Sequence, residues 1–229
     1  MAKIGIIAAL DCEIELFIKE FNAVPVDANK YIYKGSFSGH DVYLTLCGVG
    51  KVNAAVCAQR LFDFASPDFV INSGVAGGIS EKLEICDVAI SSELTYHDFY
   101  PIDVLEKYSP HCSVFRADDK LAKLAVDAAI KLSTNEEKFN YEVGMIVSGD
   151  RFVEDNAYKK ELREKYNALC TEMEGAAVAH AAVVNKIPFL VIRAISDKAD
   201  ENANVSFETI ANIAAHRASL IVKEIISNY

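Results

Sequence analysis

The sequence predicts a single α/β domain over residues 1–229, with helices on both faces of one mostly parallel sheet. Three observations carry that expectation. Short β-branched runs alternate with longer stretches of helical periodicity along the whole chain. At least one run, Phe69–Ser73, opens on consecutive apolar residues, the pattern of a strand covered on both faces. No repeat, low-complexity tract or Pro/Gly-rich linker divides the 229 residues, a length that suits one large domain and is marginal for two.

In chain order, Lys3–Ala9 reads as a buried strand and Asp11–Phe21 as the helix after it. Tyr31–Phe37 and Val42–Cys47 read as a hairpin turning at Ser38-Gly39-His40-Asp41. Lys51–Phe64 is an amphipathic helix, Phe69–Ser73 a strand deep in the sheet, and Cys86–Leu94 a further strand. Asp118–Leu132 reads as a helix, its acidic first turn favoured by the helix dipole. Val143–Ser148 is a strand, Asn156–Tyr166 a helix, and Glu174–Val184 an Ala-rich helix. Phe189–Ile195 is the last strand and Phe207–Ser227 the closing helix. Ligands in such folds bind beyond the carboxyl ends of the strands, so the loops after strands are the places to search.

Composition narrows the partners. Hydrophobic residues make up 52% and charged residues 24%, a packed globule and not a disordered chain. A formal net charge of −10 argues against a nucleic-acid surface, which needs clustered Lys and Arg to replace phosphate counterions. No apolar run reaches the roughly 20 residues that span a bilayer. The opening MAKIGIIAALDCEIE has too short an apolar stretch for a signal peptide and runs straight into acids. These features predict a cytoplasmic protein with no membrane or nucleic-acid partner. The six cysteines, Cys12, Cys47, Cys57, Cys86, Cys112 and Cys170, show neither a CxxC pair nor zinc spacing, so reduced thiols and no metal site are expected.

Five places after strands carry residues of chemical interest. Gly48-Val49-Gly50-Lys51 hints at a dinucleotide fingerprint, but a third glycine is missing and the next strand ends on Asn72-Ser73, not on an acid. The spacing before Lys51 is not that of a P-loop either, and a tight strand-to-helix turn is the better reading of the motif alone. Asn72-Ser73-Gly74-Val75-Ala76-Gly77-Gly78 places three glycines after a buried strand. They suit either a close ligand approach or an ordinary turn. In Thr171-Glu172-Met173-Glu174-Gly175-Ala176-Ala177 two acids precede a small-residue helix. Helix capping explains them in part, yet acids in so apolar a setting are expensive, which favours function. In Val191-Ile192-Arg193-Ala194-Ile195-Ser196-Asp197 a buried strand carries an Arg that needs a partner and ends on an Asp. A structural ion pair is the competing explanation there. Glu13, beside Glu15, is by itself one more acid on a helix face.

The segments KIGIIAALDCEIE, CGVGKVNAA, VINSGVAGG, VSGDRFV, TEMEGAAVAH, VIRAISDKAD and SFE follow one another between Lys3 and about Ser227. In this set and order the chain resembles the 5'-methylthioadenosine/S-adenosylhomocysteine nucleosidases of the nucleoside phosphorylase superfamily. The resemblance implies a three-layer αβα sandwich with a central mixed, mostly parallel sheet. It implies a homodimer, one active site per subunit, and no metal or organic cofactor. The implied reaction is hydrolysis of the N-glycosidic bond of 5'-thio-substituted adenosines to adenine and the thioribose. The implied catalytic set is Glu13, which activates water; Asp197, which protonates adenine at N7; Glu174, which holds the ribose 2'-hydroxyl; and Arg193, which orders the acids. Met173 would lie beneath the ribose, with Glu172 beside it. Phe152 would stack on adenine, Val153 would meet its edge through the backbone, and Ser196 would support Asp197. Val75, Ala76 and Gly77 would line the sugar side, and Val49 and Phe207 the 5'-thio group.

The residue types suit that reaction. Breaking the bond builds positive charge on the sugar and negative charge on the purine. One acid must neutralise the purine while a base readies water on the opposite sugar face. A further carboxylate beside the sugar stabilises the cation. The acid must be protonated when it acts, so a raised pKa is expected for Asp197.

Two departures from the family pattern stand out. Val75 takes a position usually held by Ser or Thr. The segment His97–Glu106 lacks the usual Asp-Val-Thr-Ala-Phe-Gly-Tyr run, which lends an apolar side chain to the partner's 5' pocket; Leu105 and Tyr108 are the candidates to replace it. The preferred 5' substituent therefore stays open. Two rival functions also remain at this point. One is a purine nucleoside phosphorylase of the same fold, disfavoured because Ala8–Glu13 is apolar and acidic where phosphate would need Arg and N–H groups. The other is a non-catalytic nucleoside-binding protein, which would not need both an acid and a base.

Overall fold

The computed structural model describes residues 1–29, 31–135, 138–200 and 203–229. The elements are β1 (Lys3–Ala8), α1 (Asp11–Glu20), β2 (Val24–Pro25), β3 (Ile32–Phe37), β4 (His40–Leu46), α2 (Lys51–Ala65) and β5 (Phe69–Gly78). There follow β6 (Val88–Tyr96), α3 (Val104–Lys107), β7 (Phe115–Arg116), α4 (Asp119–Asn135), β8 (Tyr141–Ser148) and α5 (Asn156–Tyr166). The chain closes with β9 (Cys170–Glu172), α6 (Gly175–Asn185), β10 (Phe189–Asp197) and α7 (Ala203–Ser227).

Among the described residues, ten strands form one mixed sheet in the order β10-β6-β8-β9-β5-β1-β4-β3-β2, with β7 on β6. Parallel ladders join β4 to β1, β1 to β5, β5 to β10, β6 to β8 and β8 to β9. Antiparallel pairing builds the β3–β4 hairpin and joins β10 to β6 and β5 to β9. Because β10 also pairs with β5, strands β5, β10, β6, β8 and β9 close on themselves. The remainder of the sheet extends from β5 as an open wing.

Alternation along the central strands makes two cores. Ile4 and Ile6 of β1, Phe69 and Ile71 of β5, and Leu190 and Ile192 of β10 face α1, α4 and α7, meeting Phe17, Leu121 and Ile221. Their neighbours Ile7, Val70 and Val191 face α2 and α6, meeting Ala54, Leu61 and Val178. Helices thus cover both faces, giving three layers. Each fully buried branched side chain contributes about 1.5–3 kcal/mol. A smaller third cluster, with Val147, Val153 and Leu162, sits under α5.

The main departure from the sequence reading is β5. It does not stop at Ser73 in a glycine turn but runs to Gly78. Gly74, Val75 and Ala76 pair with Arg193, Ala194 and Ile195, while Gly77 and Gly78 pair with Thr171 and Cys170. The small residues here permit close packing and not a turn. Strand β6 begins later than expected because Cys86 takes a left-handed φ of 69° and cannot lie in the ladder. The short elements β2, β7, β9 and α3 are too brief to leave a periodic signal in sequence.

Candidate active site

The site forms where β5 changes partners. β1 pairs with β5 only as far as Asn72, and β9 takes up the same edge only at Gly77. In the gap, the Val75 N–H donates to Glu13 Oε1 at 2.9 Å, so a side chain replaces a missing strand. Glu13 sits in the first turn of α1. Its Oε2 also accepts from the N–H groups of Ala9 (2.8 Å) and Leu10 (3.0 Å). Glu13 thus caps the start of α1 and lines the cavity in one arrangement, and is not an acid on an open helix face. Gly74 is required beside it, since a Cβ there would stand 2.5 Å from Glu13 Oε1. Burial pushes the Glu13 carboxyl above the ordinary range, while Arg193 and the three N–H donors restrain the rise.

Arg193 lies on the α2/α6 side of β10, between Val191 and Ile195, and is 1% exposed. Its Nη2 donates to Asn72 Oδ1 and Glu172 Oε2, each at 2.5 Å. Burial works against the charge, but Glu172, Glu174 and Glu13 outweigh it and hold the guanidinium pKa above its usual value. Glu172 in turn accepts from the Glu174 N–H (3.1 Å), the Gly175 N–H (2.7 Å) and the Ser148 hydroxyl. With these partners its carboxylate is occupied in holding Arg193 and the start of α6. Glu174 is freer. Its Oε1 accepts from the Gly50 N–H at 2.9 Å, and its Oε2 lies 3.9 Å from Arg193 Nη2. Burial, then the charge of Glu172, push its carboxyl up to about 7.

Asp197 ends β10. Its Oδ2 accepts from the Ser196 hydroxyl at 2.9 Å and its Oδ1 from the Ala199 N–H at 2.8 Å. Burial raises its carboxyl above the ordinary range, more than these two bonds lower it. Gly77 is tight against it: a Cβ there would lie 2.9 Å from Asp197 Oδ1.

These groups surround a cavity of about 460 Å³. Glu13, Glu172, Glu174, Ser196 and Asp197 line it, with Val49, Val75, Ala76, Gly77, Val153 and Met173. Phe152 and Phe207 meet edge to face at 6.1 Å on its wall. Arg193 is the sequence candidate that does not line the cavity; it stands behind the carboxylates. Leu105 is 5% exposed within the α2/α6 core, so it is not free to reach a partner, whereas Tyr108 is 68% exposed.

Several participants were not singled out in the sequence. Asn72 and Ser148 are the partners of Arg193 and Glu172. A buried Arg demands such acceptors, but only the register of β10 on β5 identifies which. Gly48 and Gly50, with φ of 78° and 100°, do form the tight turn expected, and that turn aims the Gly50 N–H at Glu174. Lys51 fastens the turn to neighbouring loops: its Nζ lies 2.5 Å from Asp98 Oδ1, and its N–H donates to Asp150 Oδ1 at 2.8 Å. Arg151 also lines the cavity and packs over the Tyr158 ring.

Fold and site together define a class. Residues 3–227 match the family model of the phosphorylase superfamily. Within that superfamily the chain belongs to the 5'-methylthioadenosine/S-adenosylhomocysteine nucleosidase family. The Neisseria meningitidis nucleosidase of that name, solved with methylthio-immucillin-A, is 34% identical, with all of both chains covered and a TM-score of 0.92. The Streptococcus pyogenes S-adenosylhomocysteine nucleosidase, solved with 5-methylthiotubericidin, is 31% identical over 99% of this chain and 97% of that one, at a TM-score of 0.91. The Colwellia psychrerythraea nucleosidase, solved with adenine, is 31% identical over 98% and 94%, at 0.90.

Proposed function

We propose that the protein hydrolyses the N-glycosidic bond of 5'-methylthioadenosine and S-adenosylhomocysteine, releasing adenine and the thioribose. The observation that carries the reading is the pair of buried carboxyls, Glu13 and Asp197, which line one cavity and both stand against β5. Glu13 holds Val75 and Asp197 packs on Gly77. Two strand residues span roughly 7 Å, room for a water and a reacting carbon between an acid and a base. Ionised Glu13 takes a proton from water. Protonated Asp197 gives its own to the departing purine. Glu174, between the Gly50 N–H and Arg193, accepts from a ribose hydroxyl and stabilises the developing cation. Phe152 and Phe207 enclose the base and the 5' arm, excluding bulk water.

Water is favoured over phosphate as nucleophile. The guanidinium of Arg193 is engaged by Asn72 and Glu172 behind the wall, and the base-side turn presents Glu13. The test is adenine release from 5'-methylthioadenosine with and without phosphate. Equal rates are expected; ribose-1-phosphate chemistry as the main product would refute the reading. The same activity separates the protein from a nucleoside-binding module.

The functional unit is proposed to be a homodimer. Val49, Val52, Val56 and Phe64 are exposed along and beside α2, and Val49 also lines the cavity. The six cysteines, which show neither a CxxC pair nor zinc spacing, suit a reducing, cytoplasmic setting.

A further inference from the structure

The mechanism makes no use of Thr171, yet its position is unusual. It is the middle residue of β9 and lines the cavity. Thr171 is 5% exposed, and its Oγ1 is buried without a hydrogen-bond partner. A hydroxyl removed from water and left unpaired is costly, and native proteins rarely keep one without a use.

Register shows which way it faces. Thr171 pairs with Gly77 of β5 on one side and with Val147 of β8 on the other, and residues paired across a ladder share a face. Val147 packs with Val153 and Ala199. A Cβ on Gly77 would meet Asp197 Oδ1 at 2.9 Å and Ala199 at 3.0 Å. The Thr171 side chain therefore stands on the same face as Asp197, Ala199 and Val153, while Glu172, the next residue along, turns to Arg193. Gly77 has no side chain to come between Thr171 and Asp197. The part of the cavity beside Asp197 thus has a second polar group, to which no other protein group is bonded.

We propose that Thr171 is a base-contacting, specificity-determining residue, whose hydroxyl forms a hydrogen bond with a heteroatom of the bound aminopurine beside Asp197. This rests on the proposed nucleosidase reading for the identity of the base. No other protein group holds the hydroxyl, so a ligand heteroatom can take the bond without breaking a native one, and a ligand lacking that heteroatom loses it.

The test compares the parent with Thr171→Val, nearly the same shape without the hydroxyl, and Thr171→Ser, which keeps it. Adenine affinity is measured by calorimetry, turnover with 5'-methylthioadenosine, and stability by thermal melting of the free protein. Thr171→Val is expected to weaken adenine binding and raise KM by about 3- to 10-fold, the range of a single net hydrogen bond. The free Thr171→Val protein should melt no lower than the parent, because no native bond is lost. Thr171→Ser should bind adenine within about 2-fold of the parent. Unchanged or tighter adenine binding by Thr171→Val overturns the proposal. So does a free Thr171→Val protein that fails to fold or melts well below the parent, which would make the hydroxyl structural. If the parent binds adenine with this dependence on Thr171 but does not hydrolyse 5'-methylthioadenosine, the contact stands and the nucleosidase reading falls. If it hydrolyses the substrate and Thr171→Val is indifferent, only the contact falls.

Discussion

In the proposed reaction Asp197 and Glu13 divide the chemistry, and each makes a separate prediction. Asp197→Asn keeps the bonds to Ser196 and Ala199 within reach but cannot deliver a proton. Its kcat should fall about 10²–10⁴-fold, the usual worth of general-acid help, with inhibitor affinity much less affected. Glu13→Gln should retain nucleoside binding and lose turnover, checked by pairing calorimetry with an adenine-release assay. Near-normal turnover would return Glu13 to a purely capping role. Glu174 supplies a pH signature. Its carboxyl is raised from 4.5 to about 7, so the folded state prefers it neutral. That preference contributes stability fully below the unfolded pKa near 4.5 and loses it as pH rises through about 7. Glu174→Gln, neutral throughout, should therefore gain Tm relative to the parent as pH climbs across that window, while losing activity. A Tm difference that stays flat between pH 4.5 and 7 would show that Glu174 is not held neutral by its burial. At this scale the sequence was informative about acids and poor about their partners. Glu13, Glu174, Arg193 and Asp197 were recognisable as costly or well-placed residues within a known pattern. That Glu172 is taken up by Ser148 and Arg193 depends on contacts between separate strands.

The elements set these residues with little slack, and β5 is the axis. Its glycines were legible as a cluster that suited either a turn or a close approach, because glycine signals bends locally and close approach only in three dimensions. Nothing in the local sequence says that β1 departs after Asn72 and β9 arrives at Gly77, and β9, three residues long, leaves no periodicity to detect. The long helices were legible because amphipathic periodicity survives over many turns; Asn156–Tyr166 has the same bounds in sequence reading and structure. The close approach yields a prediction that belongs to the strand. Gly74→Ala places a methyl 2.5 Å from Glu13 Oε1, so Glu13 must move or the strand must shift. Overpacking of this kind costs about 1–3 kcal/mol, and the displaced group here is the proposed base. The variant should fold with a lowered Tm and lose far more turnover than stability. Gly39→Ala, whose Cβ would meet nothing within 4 Å but whose φ is +80°, is the control for backbone strain away from the site. It should lower Tm and leave kcat unaltered. Equal loss of kcat in the two variants would mean that Gly74 matters only through general destabilisation.

For the whole molecule, the question left by one chain is what covers the strip beside the cavity mouth. Val52, 73% exposed, and Val56 and Phe64, both about half exposed, lie on α2, while the buried side of that helix packs on α6 and the sheet. Isolated apolar residues on a surface need no explanation, but several on one helix that starts at a site mouth fit an interface. Val49 belongs both to the strip and to the cavity wall, so whatever covers the strip also bounds the site. The net charge of −10 sharpens the argument, because two copies repel at long range and need an apolar contact to hold them. Symmetric pairing about this strip would satisfy that need. Val52→Asp tests it. On a monomer, an acid at so exposed a position changes Tm by no more than about 0.5 kcal/mol equivalent. On a dimer it buries a charge without a partner and should shift the protein to monomers at micromolar concentration, measured by light scattering. Because the pocket's outer wall would then be open, KM for 5'-methylthioadenosine should rise together with dissociation and recover at high protein concentration. A Val52→Asp protein that scatters like the parent and keeps its KM would place any interface elsewhere, and a parent that is monomeric at the same concentration would leave the strip to another partner.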